Sequence, residues 1–302
     1  TLKDNTHVTS LLTTNGAFEI NVDQGGDITG ETIAFKMSGS EKLRIDSDGR
    51  LLIGTTSHQA AYGTSALQIA GTSGATSSMS LIRHGNSPYL TLGSSGGSSL
   101  GAVTALSSGD RIGQLTFAGA DGTDISTHAA SIAAYVDGSV SSNNVPARIV
   151  FATGPLETER LRIDSNGMIG FGGVIPKTQN TFDAIEFGKT GFLGSQTGAR
   201  TVEMASNAYY NSGWKYKEAD VASQYYQYQG YHAFTTASSG SADAAISFSE
   251  KLRIESGGEI RLTSENGNNS DTPGFTFRGG SSSQKANFAR IHSRMVSNWG
   301  GQ

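Results

Sequence analysis

One phrase occurs three times along the chain and limits what it can fold into: Glu41-Lys42-Leu43-Arg44-Ile45-Asp46-Ser47-Asp48-Gly49, Glu159-Arg160-Leu161-Arg162-Ile163-Asp164-Ser165-Asn166-Gly167 and Glu250-Lys251-Leu252-Arg253-Ile254-Glu255-Ser256-Gly257-Gly258. The copies begin 118 and 91 residues apart, so the chain is a modular array with variable inserts and not a solenoid of fixed period. In each copy Leu and Ile alternate with Arg and an acid, the period of a strand with one dry and one wet face. The Ser-x-Gly that follows supplies residues tolerant of positive φ, as a tight hairpin requires. A second apolar run comes next (Leu51-Leu52-Ile53, Met168-Ile169-Gly170-Phe171, Ile260-Arg261-Leu262), and an apolar-x-Phe triplet precedes each copy (Ile33-Ala34-Phe35, Ile149-Val150-Phe151, Ile246-Ser247-Phe248). Each copy therefore reads as a three-stranded antiparallel β-meander.

Other stretches follow the same grammar: Ala66–Ile69, Tyr89–Leu92, Ile112–Phe117, Ala184–Phe187 and Phe275–Phe277, separated by Gly- and Ser-rich breakers. Lys215 to Gln229 contains neither Gly nor Pro, but its Tyr225, Tyr226 and Tyr228 suit strands better than a helix. The repeat phrases divide the chain into modules 1–57, 58–175 and 176–264, with 265–302 as the start of a further, incomplete one. Thr1 reads as the start of a piece cut from something longer.

Composition sets the energetic problem. Gly, Ser and Thr contribute 40, 40 and 29 of 302 residues, as large a share as all apolar residues together. The apolar residues come as short islands, and a two-stranded ribbon is marginal in water once each ordered residue costs about 1–2 kcal/mol of backbone entropy. A self-sufficient core is not expected; several copies laying their dry faces together along one axis would supply it. A net charge of −4 without a basic block gives nucleic acid little to bind, so it is not expected as a partner. No apolar run is long enough to insert in a membrane as a helix.

The phrase Glu159 to Gly167 followed by Met168-Ile169-Gly170-Phe171-Gly172 resembles a module found repeatedly in tail-fibre and related fibre proteins of tailed bacteriophages, especially those of marine bacteria and cyanobacteria. Two more blocks resemble the same family: Arg111 to Phe151, with Phe117-Ala118-Gly119-Ala120-Asp121-Gly122, and Asn207 to Ile254, with Gly213-Trp214-Lys215-Tyr216. The resemblance implies a homotrimeric shaft carrying a receptor-recognising tip. The expectation is thus an all-β, elongated, repeat-containing fibre of short antiparallel strands and β-meanders, intertwined as a homotrimer. It would lie outside the virion, join other tail or fibre proteins, and reach a host-surface glycan or protein. A glycan-degrading tail spike and a bacterial surface adhesin or stalk are the alternatives.

No residue stands out as catalytic. Glu41, Glu159 and Glu250 sit beside basic positions and read as solvated strand pairs rather than an acid and base across a cleft. Asp46-Ser47-Asp48-Gly49 begins like a calcium loop, but Ser57 occupies the position where the bidentate Glu belongs, so it reads as a turn, as does Asp121-Gly122-Thr123-Asp124. His7, His58, His84, His128, His232 and His292 stand at no local metal-ligand spacing. No cofactor or metal is expected, no catalytic activity, and no ligand-binding residue is identifiable. The aromatic zone Tyr209 to Phe234 reads as trimer-interface packing in preference to a sugar platform.

Overall fold

A computed structural model describes residues 30–61 and 63–263, together with the backbone of three short N-terminal strands. Phe275–Phe277 and the incomplete module at 265–302 lie outside the described residues. Among the described residues every regular element is a strand. The N-terminal strands β1 (Leu2–Lys3), β2 (Val8–Thr14) and β3 (Ala17–Asn21) pair antiparallel in that order. The chain divides into two units at Pro176/Lys177.

The first unit carries two further sheets. One contains β4 (Ile33–Met37), β5 (Ser40–Ile45), β6 (Leu51–Ile53) and β7 (Leu67–Ile69), antiparallel except for the parallel β6–β7 pair. The other is an antiparallel meander of β8 (Arg111–Gly119), β9 (Thr127–Val136), β10 (Ala147–Thr153), β11 (Thr158–Ile163) and β12 (Ile169–Phe171). Tyr89–Leu92, expected as a strand, is not one: it pairs with no strand among the described residues.

The second unit is a meander of β13 (Phe182–Phe187), β14 (Gly191–Gln196), β15 (Thr201–Ser206), β18 (Asp220–Tyr228), β19 (Tyr231–Gly240), β20 (Ser249–Ile254) and β21 (Ile260–Leu262). A small hairpin, β16 (Ala208–Tyr210) and β17 (Trp214–Tyr216), is inserted between β15 and β18. Lys215–Gln229 thus holds the end of β17 and all of β18 and no helix, and Tyr225, Tyr226 and Tyr228 lie in strand as expected.

The three copies of the phrase share one register. Leu43 pairs with Phe35, Leu161 with Phe151 and Leu252 with Phe234, and in each the register slips immediately beyond that pair. The slip is a β-bulge that leaves Lys42, Arg160 or Lys251 as the extra residue. Its carbonyl is not orphaned: it accepts the N–H of Gly54, Gly172 or Thr263 from just past the third strand. On a regular strand residues i and i+3 face opposite sides. The bulge corrects that parity, so Glu41 meets Arg44 with two hydrogen bonds of 2.5 and 2.9 Å, Glu159 meets Arg162 and Glu250 meets Arg253. The Ser-x-Gly turns close with Gly49, Gly167 and Gly258 at φ +77°, +81° and +88°, where a Cβ would cost about 1–2 kcal/mol.

In the third copy the upstream partner is not Ile246-Ser247-Phe248, the triplet expected from the sequence, but His232-Ala233-Phe234 of β19. Only one residue separates Phe248 from Glu250, too few to close a hairpin. Ile246 and Phe248 instead pack on a buried cluster of Tyr216, Ala222 and Ala237.

The second unit also corrects the expectation that no copy encloses a core. Phe182, Phe192, Tyr210, Trp214 and Phe248 form a chain of ring contacts with centroids 5.2–6.0 Å apart. The inserted hairpin supplies Tyr210 and Trp214 to this cluster, so part of the aromatic zone is internal packing. The hairpin is pinned by a buried ion pair, Lys217 Nζ to Glu186 at 3.0 Å, with Gln179 Nε2 also donating to Glu186 at 2.8 Å. The first unit has no such centre among its described residues: apart from Leu52, Val136, Val150 and Met168, its buried apolar residues are Ala133 and Ala152.

Candidate functional site

The phrase strands place their Leu and Ile on the open face and their Arg on the covered one, the reverse of an ordinary solvated sheet. Arg44 and Glu41 are 20% and 12% exposed in their side chains, whereas Phe35 is 50% exposed. Register extends this into continuous rows. In the second unit Ile185 faces Leu193, which faces Met204, then Tyr225, Phe234, Leu252 and Leu262, one residue from every strand of the meander. In the first unit Leu115, Ile132, Phe151, Leu161 and Phe171 form the corresponding row. Phe35, Leu43, Ile53 and Ile69 form another in the smaller sheet.

No charged residue interrupts these rows. Ile185, Leu193, Met204 and Phe234 are each at least 37% exposed, and the rings of Tyr225 and Phe234 meet at a tilt with centroids 4.8 Å apart. Beside them Phe187, Met204, Tyr225 and Phe234 line an open groove of about 610 Å³. Single exposed apolar residues are ordinary, but contiguous apolar surface marks an interaction site. Chemically the rows can exclude water against another apolar surface.

His7 and His292 lie outside the described residues; most of the other residues weighed for other chemistry have structural occupations. Asp46 Oδ1 accepts the backbone N–H of Asp48 and Arg50, and Asp164 Oδ1 accepts those of Asn166 and Met168, so both carboxylates close turns. Asp121 accepts from the Thr127 hydroxyl and from the backbone of Thr123 and Asp124, which pulls its carboxyl down to about 2. His58 accepts the Ser65 N–H, His232 Nδ1 lies 2.6 Å from the Tyr225 hydroxyl, and His128 lies 3.3 Å from Glu157. Among the described residues no cluster of three or more His, Cys, Asp and Glu is placed to hold a metal.

One titratable group escaped the sequence reading. Glu203, in the alternating Thr201-Val202-Glu203-Met204, looks like a solvent-facing strand residue but is 7% exposed. Gln224 Nε2 donates to its carboxylate, and Thr235 Oγ1 donates to Gln224 Oε1, tying β15, β18 and β19 together. Burial pushes the Glu203 carboxyl up to about 7 from 4.5. The folded state therefore holds this proton more tightly than the unfolded chain. The resulting stabilisation is complete below about pH 4.5 and is lost as pH rises towards 7. At about 1.4 kcal/mol per pH unit the loss amounts to about 3 kcal/mol. Glu203→Gln should abolish that loss: thermal denaturation at pH 5 and pH 8 should give a much smaller difference in Tm than in the parent chain. An unchanged pH dependence would mean that another group is responsible.

Among the solved structures similar to this chain are two with closely related subjects. Both are of the carboxy-terminal domain of the bacteriophage T5 L-shaped tail fibre. The one that includes its intra-molecular chaperone domain is 11% identical, with 73% of this chain and 72% of that one covered and a TM-score of 0.37. The other is also 11% identical, with 71% and 99% covered and a TM-score of 0.36. Scores this low do not equate the folds. No protein-family model matches the chain, and no curated protein matches it.

Proposed function

We propose that this chain is a non-catalytic structural segment of a homotrimeric bacteriophage tail fibre, linking the virion to the host cell surface and supporting receptor binding. The observation that carries the reading is the inverted sheet: charged partners are spent on the covered face and uninterrupted apolar rows on the open one. Three copies around a common axis bring identical residues together, and a row without charges is what such a meeting tolerates. The resemblance of the threefold phrase to tail-fibre modules supplies the biological setting. In that setting the mechanism is mechanical. A rod with a shared interior holds a tip away from the particle, and several rods convert weak surface contacts into avidity through effective concentration.

An antibody raised against the second unit tests the placement. In electron micrographs of the virus whose genome encodes the chain, the label is expected along an external fibre. Label confined to the capsid, or to the surface of the bacterial host, would overturn the reading.

A further inference from the structure

We propose that residues 78–94 form intermolecular β-strands, pairing backbone to backbone with the equivalent segments of the two sister copies. The inference deepens the trimer reading and rests on it.

Two short arms, Met79-Ser80-Leu81-Ile82-Arg83 and Tyr89-Leu90-Thr91-Leu92, have strand-like apolar content and flank His84-Gly85-Asn86-Ser87-Pro88. That is the sequence of a hairpin, yet the arms do not pair with each other or with any neighbouring strand. Among the described residues, 78–94 make no backbone-to-backbone hydrogen bond. Their apolar side chains stand in solvent, Tyr89 and Ile82 both 77% exposed. Backbone with apolar side chains and no ladder presents unpaired N–H and C=O groups as a template for another chain.

Two observations identify the occupant as a second copy. The segment is anchored where an apolar row begins: a Cβ placed on Gly113 of β8 would lie 2.7 Å from Leu92 Cβ, so Leu92 fills a notch that only glycine leaves open. Gly113 pairs with Ala134, which pairs with Ile149, then Ile163 and Ile169, continuing the face assigned to assembly. From Gly71 to Gly109 the chain also contains no Asp, Glu or Lys, and Arg83 is its single fixed charge. A charged partner has nothing to read there, whereas identical copies can approach without like-charge repulsion.

The test is hydrogen exchange on the full chain, followed by mass spectrometry alongside a mass determination in solution. Amides of 79–83 and 89–92 are expected to exchange at least about a hundredfold more slowly than in an unstructured peptide of the same sequence. Thr91→Pro removes one donor and fixes φ in an exposed segment outside every strand of the single chain. It is expected to abolish protection in both arms and weaken assembly at least about tenfold. Thr91→Val keeps the donor and should retain both. A threefold mass with unprotected arms, or protection that survives Thr91→Pro, would overturn the strand pairing and leave the trimer standing. A monomeric parent chain would overturn the trimer reading and this inference with it.

Discussion

Met204→Asp should leave the second unit folded and remove the chain from the assembly. Met204 projects from the middle of β15 onto the open face, half exposed, between Leu193 and Tyr225 in its row. In an isolated chain the new carboxylate stays in water, where surface substitutions are worth within about 0.5 kcal/mol. In a trimer closed over this face, three carboxylates would be desolvated near one another, at a cost of several kcal/mol per ion. Association should weaken by roughly a thousandfold or more, a difference of about 4 kcal/mol. Sedimentation velocity should then show the variant at the monomer mass of 31.5 kDa, with the parent's β-rich circular dichroism. Met204→Leu, which keeps the apolar volume, should retain the assembled mass. Retention of that mass by Met204→Asp would show that the row is not the contact.

Phe192→Ala should have the opposite profile: a fold weakened from within, read best in the Met204→Asp background where assembly cannot mask it. Phe192 is completely buried and meets Phe182 and Trp214 edge-on at 5.7 and 5.6 Å. Truncating a buried phenylalanine costs about 3–5 kcal/mol through lost transfer energy and the cavity left behind. For a unit of this size that lowers Tm by roughly 10–20 °C. Calorimetry should show the transition of the second unit moved to lower temperature. An unshifted transition would mean that the aromatic centre does not hold the unit together.

The contrast between these two sites explains what the sequence made legible. The period-2 alternation of Leu43 and Ile45 with Arg44, and the glycines that close Ser-x-Gly turns, are local signals, and the meanders follow from them. Which face would be covered is not local. Leu and Ile mark the dry face in any sheet, but the bulge at Lys42, Arg160 and Lys251 decides that Glu and Arg share a side, and no single residue type announces a bulge. The third copy misleads for a related reason. Ile246-Ser247-Phe248 imitates the upstream triplet, while the actual partner His232-Ala233-Phe234 is separated from Glu250 by an excursion that packs Phe248 against Trp214. Glu203 is invisible because its neighbours alternate normally and only the pairing of β15 with β18 brings Gln224 to it. The internal core of the second unit was hidden in the same way, since its rings come from β13, β14, the inserted hairpin and the β19–β20 connection.

Light scattering on the unmodified chain across a thousandfold dilution series weighs the central idea most directly, because mass reports whether the open apolar faces are covered by sister molecules. A plateau at three times 31.5 kDa that breaks down only at high dilution is the predicted result. A single 31.5 kDa species at every concentration, soluble with its rows exposed, would contradict it.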